Sequence, residues 1–275
     1  MTNDRLRRLR ARLAAAGKVV VAFSGGADSA FLAAVAAQVL GERAVAVTAV
    51  SASLPADERA AARRFARRHG IRHVEVCTDE LDRADYVANN ADRCYHCKTA
   101  LMDAIAPLAD LAGAVVALGT NLDDLGDYRP GQRAAVERGA IAPLVDAGFT
   151  KADVRSASRV LGLETADKPA AACLSSRVAY GDPVTADVLS RVETAERAVR
   201  DLGFDVFRVR SHAGGTVARI EVPPADIERA VGVREALDAA VRGAGFRFCA
   251  LDLAGFASGR MNDLIPVGAL LRRPG

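Results

Sequence analysis

Short apolar runs alternate with longer amphipathic segments through the first two thirds of the chain. The apolar runs predict strands, which cover residues 19–23, 44–50, 73–77 and 114–119. The amphipathic segments predict helices, which cover residues 3–16, 29–40, 56–70 and 150–162. Strands that alternate with helices build a doubly wound parallel α/β sheet, and such a sheet binds its ligands beyond the carboxyl ends of its strands.

The pattern changes near residue 180, where we place a boundary between a first domain, 1–179, and a smaller α+β domain, 180–275. A helix is predicted up to Gly203, with its apolar positions on one face. Further strands and helical pieces follow, covering 204–212, 216–223, 224–242 and 246–253. We expect this second domain to bind substrate and to contribute to oligomerisation.

Composition is that of a globular protein with an aliphatic core, since 51% of the residues are hydrophobic and Trp is absent. The net charge is +3. Nucleic-acid binders usually carry a larger basic excess, so we expect no nucleic-acid partner and interpret the arginine-rich segments as solvated helix faces. The N-terminus is polar and no apolar run reaches about 18 residues, so we expect no membrane span and a cytoplasmic protein.

Residues 24–29 read "SGGADS" and lie between the first predicted strand and the helix that follows it. Two adjacent glycines allow a tight turn, and the helix directs the positive end of its dipole at that turn. The segment therefore predicts an anion site. It lacks the Lys-Ser/Thr ending of the P-loop and the glycine spacing of the dinucleotide fingerprint.

The hexapeptide resembles the PP-loop of ATP pyrophosphatases, which cleave ATP between its α- and β-phosphates and adenylate an oxygen of the substrate. The resemblance implies an ATP site at the carboxyl ends of the predicted strands. The residues expected there are Ala22, Ser24, Gly25, Gly26, Asp28, Ser29, Ser51, Gly119, Asn121 and Asp124.

Carboxylates follow the fourth predicted strand, within residues 119–127. Mg²⁺ prefers oxygen ligands and bridges phosphates, so we expect Mg²⁺ near Asp28 and Asp124. The alternative use of these residues is a polar loop that caps a helix.

The odd number of cysteines, five, and the reducing cytoplasm disfavour structural disulfides. Cys77 and Cys249 lie in short apolar strands and are predicted to be small buried core residues.

Cys94 and Cys97 are predicted in a polar loop before a helix that begins near Lys98, and Cys173 is predicted in a second loop. In a doubly wound sheet both loops can overhang the nucleotide site. A closed zinc site would need a fourth ligand, for which His96 is available. Three thiolates on an iron–sulfur cluster would instead leave one iron open.

Six segments between residues 15 and 265 together resemble the LarE family of ATP-dependent sulfur transferases, which help to make the nickel-pincer nucleotide of lactate racemase. The segments are "FSGGADS", "RCYHCK", "GTNLDDLGDYRPG", "KPAAACLSSRVAYG", "VRSHAGGTVARIEVP" and "LDLAGFASGRMN". The resemblance implies a mononucleotide substrate, pyridinium-3,5-biscarboxylic acid mononucleotide, whose carboxylates become thiocarboxylates. It also implies a homo-oligomer, with a hexamer expected.

Two sulfur sources occur in that family. In one type a cysteine that matches Cys173 gives up its own sulfur and becomes dehydroalanine. In the other, three cysteines hold a [4Fe-4S] cluster that carries the sulfur. Cys94 and Cys97 beside Cys173 favour the cluster type, reloaded by sulfide or by a sulfur-donor protein, with the sacrificial cysteine as the alternative. Cys173, Asp28 and Lys98 are the residues expected to take part in the chemistry.

Arg208 and Arg210 share one face of a predicted strand, because side chains alternate along a strand. Guanidinium pairs suit phosphate geometry, and the resemblance points to the same two arginines, so we expect them to hold the substrate phosphate. Ser176, Arg177 and Glu193 are further candidates for substrate binding.

Three other functions are consistent with parts of this pattern. A tRNA thiolase also combines a PP-loop with three cysteines, but the near-neutral charge disfavours tRNA binding. An amide-forming synthetase, such as NAD synthetase, has no use for three converging cysteines. A nucleotide sensor without catalysis has no evident use for them either.

Overall fold

The chain divides into two units, each with its own sheet. Residues 1–79 and 94–171 form the first unit, and residues 80–93 and 172–275 form the second. The sequence places one boundary near residue 180, whereas the contacts divide the chain after residue 171 and assign 80–93 to the second unit. The computed structural model describes the following stretches of the chain: 2–126, 130–169, 172–257 and 261.

Buried hydrogen bonds explain why the segment before residue 94 belongs to the second unit. The side-chain amide of Asn89, which is fully buried, donates to the carbonyl oxygens of Ala179 at 2.7 Å and Asp182 at 2.9 Å. The hydroxyl of Tyr86 hydrogen-bonds Ser175 Oγ at 2.5 Å. These partners are about ninety residues apart in sequence, so no local pattern predicts them.

The described strands and longer α-helices follow the predicted order, whereas the short helices at 84–87, 130–136 and 143–146 were not predicted. The α-helices are α1 (Thr2–Ala16), α2 (Ala27–Leu40), α3 (Ala56–Arg68), α4 (Ala84–Val87), α5 (Arg93–Ala112), α6 (Pro130–Val136), α7 (Pro143–Asp146), α8 (Lys151–Val160), α9 (Ala186–Asp201), α10 (Ile227–Gly232) and α11 (Arg234–Gly243). The strands are β1 (Val19–Ala22), β2 (Ala44–Val50), β3 (His73–Cys77), β4 (Val115–Ala117), β5 (Arg208–His212), β6 (Val217–Glu221) and β7 (Phe248–Leu251). None of these helices is long and apolar enough to cross a membrane.

The first unit contains a parallel sheet of order β3-β2-β1-β4, whose central strand β1 is buried on both faces. Val19 and Val21 of β1 pack into a core that includes Phe31 of α2. Val20, between them, packs into a second core with Ile105 of α5. Alternate residues of one strand therefore enter two cores, which confirms the predicted doubly wound α/β arrangement.

The second unit contains a three-stranded sheet of order β5-β6-β7, in which β5 and β6 are antiparallel and β6 and β7 are parallel. Val209 of β5 and Ile220 of β6 are buried, as is the apolar side of α9. Arg208 and Arg210 lie on the other face of β5, as the alternation predicts. This unit therefore has an apolar sheet face and a charged one.

The segment of Cys94 and Cys97 is helical, so the predicted polar loop is wrong. Helix α5 begins at Arg93, five residues before the predicted start. Asn89 adopts a positive φ of 55°, and the Asn90 carbonyl accepts a hydrogen bond from the Arg93 N–H. The turn that precedes the helix is thus complete before Cys94.

Cys77 is exposed, so the prediction of a buried thiol at this position is wrong. It ends β3, which is an edge strand of its sheet, and an edge strand has a neighbour on one side only. Cys249 in β7 is half-buried, and this burial raises the pKa of its thiol.

Candidate active site

An open cavity of about 610 Å³ lies in the first unit at the carboxyl ends of the parallel strands. Residues 24–29, which we call the glycine loop, follow β1, and Gly119 follows β4. Polar residues of both segments line the cavity. Its apolar lining comprises Ala22, Phe23, Val47, Ala49, Leu54, Leu101 and Leu118. A cavity with an apolar lining and a few convergent polar groups is typical of a small-molecule site.

Two serine hydroxyls hold the glycine loop in shape. Ser29 Oγ donates to the Gly26 carbonyl at 3.1 Å, and it accepts from the Ser24 N–H at 3.3 Å. Because the Ser29 proton is used in this way, Ser24 Oγ is the donor in the 3.1 Å contact between the two hydroxyls. Both serines line the cavity, so a bound anion would meet a loop that is already ordered.

Two glycines of the site allow close approaches of the backbone. Gly25 has a φ of +72°, and a Cβ there would lie 3.1 Å from the Cβ of Ala62. A Cβ on Gly119 would lie 2.9 Å from the backbone nitrogen of Ser29. The end of β4 therefore contacts the first turn of α2, whose N-terminus faces the cavity.

Two carboxylates, Asp28 and Asp124, lie close together in the cavity lining. Burial raises the pKa of Asp28, and the negative charge of Asp124 raises it further, while Lys151 and Asn121 act in the opposite direction. Lys151 Nζ lies 3.1 Å from Asp124 Oδ1. Carboxylates that repel one another in a cleft are suited to a divalent cation.

The first turn of α5 brings Cys94, Cys97 and Lys98 to the same cavity. Residues three and four apart lie on one face of a helix, which is why both thiols and the lysine line one wall. Burial lowers the pKa of Lys98, and the two cysteines oppose this shift. The sequence predicts that these three residues lie near the nucleotide site, and the structure places them in the same cavity as the glycine loop.

Three residues predicted for the ATP site, Gly25, Ser51 and Asn121, are not part of the cavity lining. Ser51 Oγ is 2.8 Å from Ser53 Oγ. Asn121 is fully buried, and its Oδ1 accepts from the Asp123 N–H at 3.0 Å. The predicted contacts of these three residues with ATP stay predictions. Asp127, the last of the predicted carboxylates in residues 119–127, lies outside the described residues.

Cys173 precedes the short 3₁₀ helix Leu174–Arg177 in the second unit, and its thiol is half-buried. The guanidinium of Arg177 donates to the carbonyl oxygens of Ala172 at 2.6 Å and Cys173 at 3.0 Å. Ser176 Oγ donates to the Cys173 carbonyl at 2.7 Å. The backbone of Cys173 is therefore held by two of the five residues that the sequence predicts for substrate binding, Ser176 and Arg177.

Glu196, which is not among the predicted substrate-binding residues, holds Arg177 in turn. Arg177 Nε donates to Glu196 Oε1 at 3.0 Å, and both side chains are buried. The predicted residue, Glu193, is half-buried one turn earlier in α9. Glu196 falls on the apolar face with Val192 and Val199, and a charged residue on an apolar face is the signal that would have identified it.

Arg208 and Arg210 differ in how they are paired. Arg210 forms an ion pair with the buried Glu221, 2.9 Å from Nη2 to Oε2. Arg208 donates to the carbonyl oxygen of Phe207, and within the described stretches it has no ion pair. Burial lowers the pKa of Arg208, and the positive charge of Arg177 lowers it further. The predicted role of Arg208 as a ligand of the substrate phosphate stays a prediction.

Sequence similarity relates this chain to known proteins. The family model for asparagine synthases matches residues 4–117. The chain is 42% identical over 269 residues to an uncharacterised protein of Synechocystis sp., covering 96% of this chain and 99% of that one. It is 37% identical over 251 residues to the pyridinium-3,5-bisthiocarboxylic acid mononucleotide synthase of Lactiplantibacillus plantarum, covering 90% of each.

The chain belongs to the LarE family. It is an enzyme of the ATP pyrophosphatase superfamily, in which the PP-loop binds ATP with Mg²⁺. The glycine loop is the PP-loop of this LarE-family member, and the parallel sheet behind it is the one that the superfamily requires.

The residues fit Mg²⁺ better than they fit a complete cluster site. Asp28 and Asp124 supply carboxylate oxygens, and phosphates and water can complete an octahedron around Mg²⁺. Cys94 and Cys97 line one cavity, as two ligands of a cluster would, while Cys173 belongs to the second unit. In the part of the chain that the structure describes, no three His, Cys, Asp or Glu side chains lie close enough to hold a metal ion. The three-cysteine cluster therefore stays a prediction.

Several residues of the cavity lining are not among those that the sequence predicts for the site. Thr48 lines the cavity and donates to the Phe23 carbonyl at 2.7 Å. Gly131 and Gln132 of α6 also line it, and a Cβ on Gly131 would lie 2.9 Å from the Cys94 carbonyl. Thr48 lies inside an apolar strand and α6 follows a loop, so neither carries a local signal for nucleotide binding.

Proposed function

We propose that this protein is an ATP-dependent sulfur transferase that converts carboxylates of pyridinium-3,5-biscarboxylic acid mononucleotide into thiocarboxylates, for the nickel-pincer nucleotide cofactor of lactate racemase. One observation carries the proposal. A single cavity joins the PP-loop and its two carboxylates to Cys94, Cys97 and Lys98. An adenylation site beside thiols is what sulfur transfer to an activated acyl group needs. The name of the relative from Lactiplantibacillus plantarum describes the product of such a reaction.

In the first step a substrate carboxylate attacks the α-phosphorus of ATP, and pyrophosphate leaves. Gly26, Asp28 and Ser29 at the start of α2 line the cavity, so the positive end of the helix would stabilise the charge that develops on pyrophosphate. Asp28 and Asp124 would hold Mg²⁺, which supplies positive charge to the phosphates when it is bound. The product of this step is an acyl-adenylate.

In the second step sulfur replaces the activated oxygen. Adenylation turns a poor leaving group, oxide, into a good one, AMP, so a sulfur nucleophile at the acyl carbon releases AMP and leaves a thiocarboxylate. Lys98 lines the same cavity and neutralises negative charge at the acyl centre. Cys94, Cys97 and Cys173 would hold a [4Fe-4S] cluster, which supplies the transferred sulfur when it is bound.

The charged cluster of the second unit supports a mononucleotide substrate. Arg177, Arg208 and Arg210 lie close together, and Glu196 and Glu221 pair with two of them. The third guanidinium belongs to Arg208, which has no ion pair in the described stretches. This supports Arg208 as the main phosphate ligand, with Arg210 beside it. Ser176 and Arg177 then act by holding the backbone of Cys173.

Sacrificial use of Cys173 is a second candidate for the sulfur source. Arg177 and Ser176 both bond to the Cys173 carbonyl, so the position of this residue is well defined without any cluster. In that case Cys173 loses its sulfur to the substrate and ends as dehydroalanine. The protein would then act once.

The test is an anaerobic assay with Mg·ATP, the biscarboxylate mononucleotide and sulfide, followed by mass spectrometry of the nucleotide product. We expect wild-type protein to exchange oxygen for sulfur and to release AMP and pyrophosphate. Asp28→Asn removes one carboxylate, and we expect at least about a hundredfold slower pyrophosphate release, the order of a lost electrostatic contact to a developing charge. Arg208→Met should raise the KM for the mononucleotide with little change in ATP affinity.

A matched control is Asp57→Asn, an exposed aspartate in the first turn of α3 outside the cavity lining. It should leave both half-reactions unchanged. Pyrophosphate release that does not depend on the mononucleotide, or a product without sulfur, would rule out the proposed reaction.

A further inference from the structure

Lys168 contacts the PP-loop from outside the cavity. Its ammonium donates to the carbonyl oxygen of Gly25 at 3.0 Å and forms a 2.6 Å ion pair with Glu58 of α3. Both charged side chains are largely buried, with exposed fractions of 20% and 24%. Neither residue is part of the cavity lining, so this contact is distinct from those that line the nucleotide site.

The backbone around Lys168 is itself held in place. Arg155 of α8 donates to the carbonyl oxygens of Ala166 and Lys168, each at 3.2 Å. The Lys168 N–H donates to the Thr165 carbonyl at 3.1 Å. The lysine therefore extends from a fixed segment. If its ammonium moved away from both partners, the largely buried carboxylate of Glu58 would be left unpaired.

The bond to the Gly25 carbonyl determines the direction of the next N–H. In a trans peptide the carbonyl and the N–H point in opposite directions, and the described peptides are all trans. Because the Gly25 oxygen is directed at Lys168, the Gly26 N–H is directed the other way, toward Ser24 Oγ at 3.4 Å. That distance is long for a hydrogen bond, and both Gly26 and Ser24 line the cavity. The Gly26 N–H is thus available to an anion there.

Two consecutive glycines make this orientation easy to lose. A peptide between glycines can rotate by about 180° with little steric cost, because neither residue has a Cβ. The rotation would direct the Gly25 carbonyl oxygen into the cavity, where it would repel a phosphate. We infer that Lys168 is a positioning residue that fixes the Gly25–Gly26 peptide with its N–H toward the phosphates of ATP.

The test compares Lys168→Met, Lys168→Arg and the control Lys18→Met, an exposed lysine of the same unit. Affinity is measured by calorimetry with Mg²⁺ and a non-hydrolysable ATP analogue, and the orientation of the Gly25–Gly26 peptide is determined in nucleotide-free crystals. We expect the Kd of Lys168→Met to rise about tenfold or more, the order for a lost hydrogen bond to a charged group. Lys168→Arg should recover most of the affinity, and Lys18→Met should equal wild type.

The peptide orientation separates positioning from direct contact. We expect nucleotide-free Lys168→Met to show the Gly25–Gly26 peptide rotated or in two orientations. An unchanged peptide together with weaker binding would mean that Lys168 contacts the phosphate itself, and the inference would be overturned. It would also be overturned if the affinity of Lys168→Met stayed within about twofold of wild type.

A second variant keeps the inference testable if Lys168→Met does not fold. Glu58→Gln retains the lysine but removes its ion-pair partner, so the ammonium is held less firmly against Gly25. We expect a smaller rise in Kd, about threefold, and no rise would count against the inference. The inference rests on the proposed function for the identity of the anion. Wild-type protein that binds the ATP analogue but forms no thiocarboxylate would refute the proposed reaction and leave this inference standing.

Discussion

Gly119 shows how one residue sets the geometry of the nucleotide site. Its Cα carries no side chain, and this allows the end of β4 to contact the backbone of Asp28 and Ser29 at the start of α2. The clashing atoms would be backbone atoms, which cannot move aside as the end of a flexible side chain can. The glycine is therefore required for a close approach rather than for an unusual φ.

We predict that Gly119→Ala weakens ATP binding by about tenfold or more and destabilises the fold by about 1–3 kcal/mol, the usual cost of overpacking. The added Cβ would lie 2.9 Å from Ser29 N and 3.1 Å from the carbonyl carbon of Asp28. Calorimetry with an ATP analogue and thermal unfolding would measure the two effects. Gly232→Ala is the control, since a Cβ there meets no atom within 4 Å. Wild-type ATP affinity in Gly119→Ala would show that β4 can withdraw from α2 without affecting the site.

At the scale of elements, α3 and the edge strand β3 are joined by an ion-pair cluster. Arg59 and Arg63 lie one turn apart on α3, and both donate to the carboxylate of Glu75 in β3. The hydrogen bond from Arg59, and then that from Arg63, lower the pKa of Glu75 to about 2. The sequence shows an arginine-rich helix, and the pairing explains why two of these arginines face the sheet.

We predict that Glu75→Gln reduces stability near neutral pH and that the reduction disappears in acid. The folded pKa of about 2 lies below the ordinary value of 4.5, so the carboxylate stabilises the fold above about pH 4.5 and loses this effect as the pH falls toward 2. The arginines are partly exposed and screened, so we expect about 1 kcal/mol at pH 7. Urea unfolding at several pH values would measure the difference between wild type and variant.

Glu42→Gln is the control for that series. Glu42 is exposed, and in the described structure it forms no hydrogen bond to an arginine. Its substitution should leave the pH dependence of unfolding as in wild type. A difference between wild type and Glu75→Gln that stayed constant from pH 7 to pH 3 would contradict the pKa assigned to Glu75.

At the scale of the whole molecule, the three motif cysteines are divided between the two units. Cys94 and Cys97 belong to the first unit and Cys173 to the second. The proposed three-cysteine cluster requires the thiol of each of these residues. It therefore predicts that loss of any one of the three removes the cluster.

We predict about four iron atoms and acid-labile sulfide per chain in protein purified without oxygen, the content of one [4Fe-4S] cluster. Cys94→Ala, Cys97→Ala and Cys173→Ala should each lose the iron, and the exposed Cys77→Ala should retain it. Iron in Cys173→Ala at the wild-type level would exclude Cys173 as a ligand. Absence of iron from wild type, together with loss of the elements of H₂S from Cys173 after one reaction, would establish the sacrificial route instead.

The sequence by itself determined the strands, the longer helices and their order, because hydrophobic periodicity and glycine placement act locally. The short helices α4, α6 and α7 were not predicted. The strands 44–50 and 73–77 match β2 and β3, and the PP-loop lies between β1 and α2 as predicted. The start of α5 was not predicted, because its first turn is polar and is typical of a loop. The turn before it depends on Asn89, whose hydrogen-bond partners are distant in sequence.

Only the tertiary structure decided which residues meet, because that depends on contacts between distant parts of the chain. It places Cys94 and Cys97 on the wall of the nucleotide cavity and selects Glu196 as the partner of Arg177. It also brings Lys168 to Gly25, 143 residues away in sequence. A periodic pattern shows that one face of an element is buried, but it does not identify the residues that pack against that face.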